Sequence, residues 1–357
     1  MRCCALEAPR QRIGRCKGLG GVNPAGKSLF CPRVRVTPAF WMPWPCERTT
    51  PQGPTDMRLA ITHQTQYTYA EVVESSHHLA HLTPLSLSNQ EVLTHHLEID
   101  PRPNDLRSRP DAFGNIVTHW ALSEPHQHLK VISRADIQTT ALQEANSSVS
   151  CAQACTELSY VALQRPSPAA PYACPSPHVP LHPELGNYAR ADFAAQRPLV
   201  QAALAFMRRM HTELTYDHLS THIDTPAPEA LRARRGVCQD FAHIMLGGLR
   251  HMGLAACYVS GYVLTQPAPG QLRVIGGDAS HAWVALHVPG LEDHPSQGWL
   301  HLDPTNQRHG WGSPGEDYVI LARGRDFADV SPLRGVLRGG DASAPVVDVS
   351  VQCLDSP

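Results

Sequence analysis

The hydrophobic residues of this chain change their spacing twice, and those changes limit the folds open to it more than any other feature. From Met57 to about residue 140 apolar and polar positions alternate, in two later segments apolar residues recur every three or four positions, and from residue 255 the alternation returns. A period of two lines one face of a strand, and a period near 3.6 lines one side of a helix. The first region contains RLAITHQTQYTY, with Leu59 and Ile61 in phase, then VLTHHLEIDP, NIVTHWALSEP and HLKVISRADIQTT, with the turn residues DAFGN at 111–115 between strands. These segments predict a mostly antiparallel β domain over 57–140.

The helical period appears in PLVQAALAFMRRMHTEL, where Leu199, Ala203, Phe206, Met207 and Met210 share a face. It reappears in Val237, Phe241, Ile244, Met245, Leu249 and Met252, followed by Gly253 at the C′ position where a left-handed glycine ends a helix. The two helices are expected to pack side by side. Three strand candidates follow, at 255–264, 281–289 and 298–305. The order predicts an α+β chain whose second domain, 186–330, sets a helix beginning at Cys238 against an antiparallel sheet. A C-terminal segment, 331–357, completes it.

Composition bounds the rest. At 357 residues there is room for about two domains. Residues 141–185 are dense in proline, which blocks helix interiors and sheet ladders, so they are expected to form a linker or surface strap. Residues 1–56 carry nine Lys/Arg against three Asp/Glu with no signal-peptide apolar core, and read as a disordered or mis-assigned extension ahead of a natural start at Met57. A net charge of -2 gives no general attraction to nucleic acid or to an anionic membrane, and no apolar run is long enough to span a bilayer. Eleven scattered cysteines form neither a disulfide framework nor a paired zinc motif, so reduced thiols and a cytoplasmic location are expected. Histidines in HHLAH (77–81) and THH (94–96) sit in strand-like surroundings and read as a partly exposed polar β surface, so neither a metal nor a cofactor is expected.

Cys238 is the residue best placed for chemistry. A thiolate at a helix N-terminus meets unpaired N–H groups and the positive end of the macrodipole, and the same groups can hold an oxyanion. A base and an orienting acid would complete the set. Parity offers both: the aliphatic rows are Ala282, Val284, Leu286 and Val288 in one strand and Leu300 and Leu302 in the next, so His281 and Asp303 fall on the opposite face. A symmetric hairpin about the loop 289–298 would set Asp303 against position 284, an odd offset from His281. A bulge or an asymmetric loop must therefore shift the register.

GVCQDFAHIMLGGLRHMGLAACYVSGYV, GDASHAWVALHVPG and GWLHLDPTN resemble the three motifs of the bacterial transglutaminase-like family, within the papain-like superfamily. By that resemblance Cys238, His281 and Asp303 match the family's catalytic cysteine, histidine and aspartate. YTYAEVVESSHHLAHLTP and DAFGNIV are similar to the β domain often joined to this core, and ARGRDFADVSPLRGV is similar to the family's C-terminal segment. The likeness spans roughly 57–350, except that 141–185 matches nothing and RHGWGSPGEDYVI is longer and looser than the family pattern. It implies a papain-like, transglutaminase-like core acting on protein or peptide amides through a thioester, with hydrolysis favoured over crosslinking. A non-catalytic peptide-binding scaffold is the alternative of another class. Tyr216, as a second oxyanion donor, and Gln239, Asp240 and Trp283 are the residues expected to support the site, with Asp240 holding backbone or arginine groups; oligomeric state is not set by the sequence.

Overall fold

The computed structural model describes residues 56–159, 166–217, 219–265, 280–340 and 344–354. The expectation for 1–55 lies outside them. The first alternating segment runs unbroken as β1 (Asp56–Ala80), followed by β2 (Gln90–Asp100), β3 (Asp105–Pro110), β4 (Ile116–Leu122) and β5 (His126–Thr140). β1 is long enough to serve two sets of neighbours. Its first half pairs with β5, Leu59 opposite Ile137, and its second half pairs with β4, Leu79 opposite His119, with a register break after Thr68.

The C-terminal segment completes this same module. β13 (Leu333–Gly339) and β14 (Val346–Cys353) lie antiparallel on β1, and Val349 and Val351 are buried with Leu59, Ile61, Leu129 and Val131. Residues 331–354 therefore belong with the first domain, although some 190 residues of chain intervene. Strand pairing across such a distance leaves no local trace, because the partner's spacing is the same period of two.

Between the two halves of the module lies the second layer: α1 (Cys151–Glu157), a 3-10 turn at Ala170–Ala173, α2 (Pro183–Arg190), α3 (Leu199–Glu213), β6 (Thr215–Tyr216), α4 (Ala227–Ala233), β7 (Arg235–Gly236) and α5 (Cys238–His251), then β8 (Ala256–Val263), β9 (Ser280–His287), β10 (Trp299–Asp303), β11 (Arg308–Trp311), β12 (Tyr318–Gly324) and α6 (Phe327–Val330). The five longer strands form an antiparallel sheet in the order β11-β10-β9-β8-β12. Among the described residues no helix is long and apolar enough to cross a membrane.

The linker expected over 141–185 is corrected: its described part is built into the helical core. Ser150 and Gln153 cap α1 reciprocally, and Cys151, Ala154, Val179 and Leu185 are buried. The prolines rule out ladders, so the segment's polar groups find partners elsewhere. Arg250 of α5, only 3% exposed, donates to the carbonyls of Tyr172 (2.9 Å) and Ala256 (2.9 Å) and to Ser176 Oγ (3.1 Å). One buried guanidinium thus satisfies groups that an irregular chain would otherwise leave unpaired.

The expected pairing of helices is corrected too. α2 lies directly on α5, where a Cβ at Gly247 would stand 2.3 Å from Leu185 Cδ1 and one at Gly248 2.9 Å from Ala189 Cβ. α3 reaches α5 through the Phe206 ring, which also meets Gly248. The polar β surface expected around HHLAH and THH is only partly so: His77 and His96 are exposed, but His78 and His81 are buried, His78 stacked on Trp120 and His81 bonded to Ser331 O (3.0 Å). Among the described residues, no three His, Cys, Asp or Glu side chains converge as a metal site.

Candidate active site

Cys238 is the first residue of α5. The preceding Val237 is extended and has no side-chain acceptor, so the cap comes from inside the helix: Asp240 Oδ2 accepts from Val237 N–H (2.8 Å). The same oxygen accepts from Thr221 Oγ1 (2.7 Å). A Cβ at Gly236 would lie 2.6 Å from that carboxylate, which is why the position ahead of the cap is glycine. Burial raises the pKa of Asp240 while the bonds from Thr221 and Val237 act against it. Asp240 thus holds a backbone N–H and a threonine. Gln239 is spent similarly, its Nε2 donating to Ile223 O (2.9 Å), so that both residues fasten the 219–226 segment beside the cysteine.

On the sheet, Leu302 stands opposite Val284 and Leu300 opposite Leu286, a register that continues to place Asp303 opposite Trp283. This is one position from the symmetric hairpin, and it makes His281 the diagonal neighbour of Asp303 on the same face. The loop supplies the shift, with no bulge in this pair: Gln297 (φ 52) and Gly298 (φ 77) are both left-handed, and Val288 N–H closes on Gly298 O at 2.8 Å.

His281 Nε2 donates to Asp303 Oδ2 at 2.7 Å, and the Cys238 side chain is within hydrogen-bonding reach of the same imidazole. Since Asp303 occupies Nε2, the nitrogen open to sulfur is Nδ1. Asp303 is fully buried and accepts four further bonds: Oδ2 from Tyr318 OH (2.8 Å) and Asn306 Nδ2 (2.8 Å), Oδ1 from the N–H groups of Thr305 (2.9 Å) and Asn306 (3.2 Å). Burial opposes its ionisation, but the attraction of His281 and the donors around it hold its pKa below the usual carboxylate range. His281 shows the mirror image: burial disfavours its charge, yet Asp303, followed by Cys238, raises its pKa.

Trp283, wholly buried, stacks on His281 with ring centroids 5.9 Å apart and meets Tyr318 edge-on at 5.4 Å. Its Nε1 donates to His301 Nδ1 (2.8 Å). Tyr216, in β6, pairs with Gly236 and lies near Cys238; partial burial of the phenol, then Cys238 and Asp240, push its pKa up to about 12, so it stays a donor.

Sequence reasoning missed Asn306, Tyr318 and Thr221. Asn306 was legible as the end of DPTN, three residues beyond Asp303, where a turn returns the amide to the carboxylate. Tyr318 was hidden in the loose RHGWGSPGEDYVI, which folds as β11, a tight loop and the start of β12. Arg308 closes that loop on Asp317 (Nη2 to Oδ1, 2.7 Å) and lies over the Tyr318 ring at 4.8 Å, aiming the phenol at Asp303.

Comparison with known proteins agrees with this architecture. Residues 59–138 match the bacterial transglutaminase-like N-terminal region, and residues 188–304 match the transglutaminase-like superfamily. An uncharacterized protein of Mycobacterium tuberculosis is 38% identical over 308 residues, covering 83% of this chain and 92% of its own length. One from Mycobacterium leprae is 31% identical over 301 residues, covering 83% and 99%. A crystal structure from Cytophaga hutchinsonii, described as a candidate cysteine protease, has a TM-score of 0.64 at 20% identity and covers 85% of this chain and 93% of its own. That likeness shows the fold, an N-terminal antiparallel sheet with a papain-like α+β core. With both regions matched and close relatives aligned over most of its length, the chain belongs to the transglutaminase-like superfamily, in the bacterial form that carries its own N-terminal β region.

Proposed function

We propose that the chain is a thiol enzyme that opens amide bonds in proteins or peptides, with Cys238 as nucleophile, His281 as proton carrier and Asp303 as its orienting acid. One observation carries the reading: a buried imidazole clamped at 2.7 Å by a five-times-bonded carboxylate faces a cysteine at the first position of a helix. Sγ bonds to the carbonyl carbon as the C–N bond breaks, and the thiol proton passes through His281 to the departing nitrogen. Water then splits the thioester and returns a proton to sulfur; an amine in place of water gives a crosslink. The Cys238 N–H, unpaired within its helix, is the first oxyanion donor, and Tyr216 is the second. The enzyme acts in the cytoplasm, where scattered thiols stay reduced.

Hydrolysis is the favoured outcome, on the resemblance to cysteine peptidases of this fold. The test is to incubate the protein with glutamine-containing peptides, with and without a primary amine, and to follow products by mass spectrometry beside Cys238→Ala. Backbone cleavage or side-chain deamidation that disappears in the variant is the expected result; amine incorporation would move the assignment to transferase. Products that persist in Cys238→Ala would remove the cysteine from the nucleophile's role, and none across a broad peptide library would leave the scaffold reading in place.

A further inference from the structure

The face of the sheet that carries His281 and Asp303 also borders a cavity on which none of the proposed chemistry draws. It measures about 360 Å³ and lies between the 86–89 turn of the β module, the 295–297 loop and the β10 strand, with Asn89, Ser296, Trp299, His301 and Arg323 among its walls. Among the described residues no carboxylate lines it. Its volume is in the range of small-molecule sites.

Three donors meet there without acceptors. Trp283 Nε1 donates to His301 Nδ1 at 2.8 Å, which fixes the neutral ring with its proton on Nε2. His301 is 1% exposed, and burial, followed by the nearby Arg323, pushes its pKa down to about 3, so the ring is neutral at ordinary pH. Among the described residues the Nε2 proton has no acceptor. Asn89 is 5% exposed, and its amide likewise makes no hydrogen bond with them. Its oxygen stands against Gly312, another wall of the cavity, at 3.2 Å from where a Cβ would be. The Arg323 side chain, half-buried on β12, has neither an acid nor a hydrogen-bond partner among the described residues.

An imidazole N–H, an amide and a guanidinium that open onto one hollow offer their hydrogen bonds to whatever fills it, and the guanidinium favours a negative group. One guanidinium beside a neutral imidazole balances a single negative charge, which suits a carboxylate and leaves a phosphate dianion uncompensated. Trp299 gives the remainder of such a molecule a flat apolar wall.

We propose that this cavity binds a small monocarboxylate, of about amino-acid size, with Arg323 and the His301 Nε2–H on its carboxylate and Asn89 on a neighbouring polar group. The site is independent of the role assigned to Cys238, although Trp283 joins it to the ring stacked on His281.

N-acetylglycine is a suitable probe, with N-acetylglycinamide as its uncharged counterpart, titrated into the full chain and followed by calorimetry and by tryptophan fluorescence. Saturable binding of the acid, at least tenfold weaker for the amide, is expected, with Arg323→Gln weakening the acid about tenfold or more and Asn89→Ala weakening it less. Cys238→Ala must bind as the wild type does, which keeps this result separate from any failure of the thiol-enzyme reading. Equal binding of acid and amide, an unaffected Arg323→Gln, no saturation, or binding of inorganic phosphate in place of the acid would each overturn the proposal, and the first and last need only the wild-type protein.

Discussion

The two faces of the five-stranded sheet obey different rules. Toward the helices, Ala282, Val284, Leu286, Val288, Leu300 and Leu302 pack with Phe241, Ile244 and Leu249, and that face is mainly aliphatic, with Tyr258 and Trp311 among its members. Away from them stand His281, Trp283, His301, Asp303 and Tyr318, almost as deeply buried yet joined by directed hydrogen bonds. The first face works by area and shape, which neighbouring residues share. The second works by one-to-one partnership, in which the loss of any donor leaves a buried group unpaired. Stability resides on one side and chemistry on the other, so substitutions should separate the two.

The largest effect is expected from Asp303→Asn, which removes the charge that orients and holds the His281 imidazolium. Turnover in the peptide assay should fall about ten-thousandfold, while circular dichroism shows a folded chain. A loss below tenfold would show that Asp303 is packing and not machinery. Leu286→Ala tests the aliphatic face: the unfolding free energy should drop by about 2 to 5 kcal/mol, measured by urea titration, with Cys238 reactivity unchanged at temperatures where the variant is folded. Tyr318→Phe takes one donor from the buried carboxylate and should cost about 1.5 to 3 kcal/mol, accompanied by a rise in the pKa of Asp303 toward the ordinary 3.8.

The pH dependence of stability sharpens the same contrast. His281 has a raised pKa, so its contribution is full below its ordinary 6.5 and fades as pH rises toward the folded value. Asp303 has a lowered one, so its contribution is full above 3.8 and is lost as pH falls through the folded value. Histidines buried without an acid behave oppositely to His281. Burial holds His63 and His78 of the β module at about 4, so their share of stability is intact above 6.5 and is lost as pH falls from there toward 4. Thermal midpoints should therefore decline through this acid range, and His78→Gln should flatten the decline, whereas Asp303→Asn should cost most between pH 3.8 and 6.5, where both contributions are full, and should remove the fading of the His281 contribution above 6.5.

The sequence disclosed much of this arrangement and hid some of it for physical reasons. Parity alone sorted residues 281–288 and 300–303 to their correct faces, because a strand's side chains must alternate. The hydrophobic stripe and Gly253 (φ 79) located the Cys238 helix, since both are local requirements. The register of Asp303 against His281 was not legible: it depends on two left-handed residues, Gln297 and Gly298, and only the glycine announces itself. β13 and β14 were legible only as a C-terminal segment, because the strand they complete is at the other end of the chain. The 141–185 region was misjudged since prolines report what a backbone cannot form, and are silent about a buried arginine, Arg250, that gives an irregular path its partners.

Alkylation by iodoacetamide at pH 6, mapped by mass spectrometry for each cysteine, tests the central claim most directly. The partly buried Cys238 should be modified faster than the exposed Cys174, and far faster than the fully buried Cys257, and in His281→Ala its lead over Cys174 should vanish. Modification of Cys238 no faster than Cys174 in the wild type, or at an equal rate with and without His281, would contradict it.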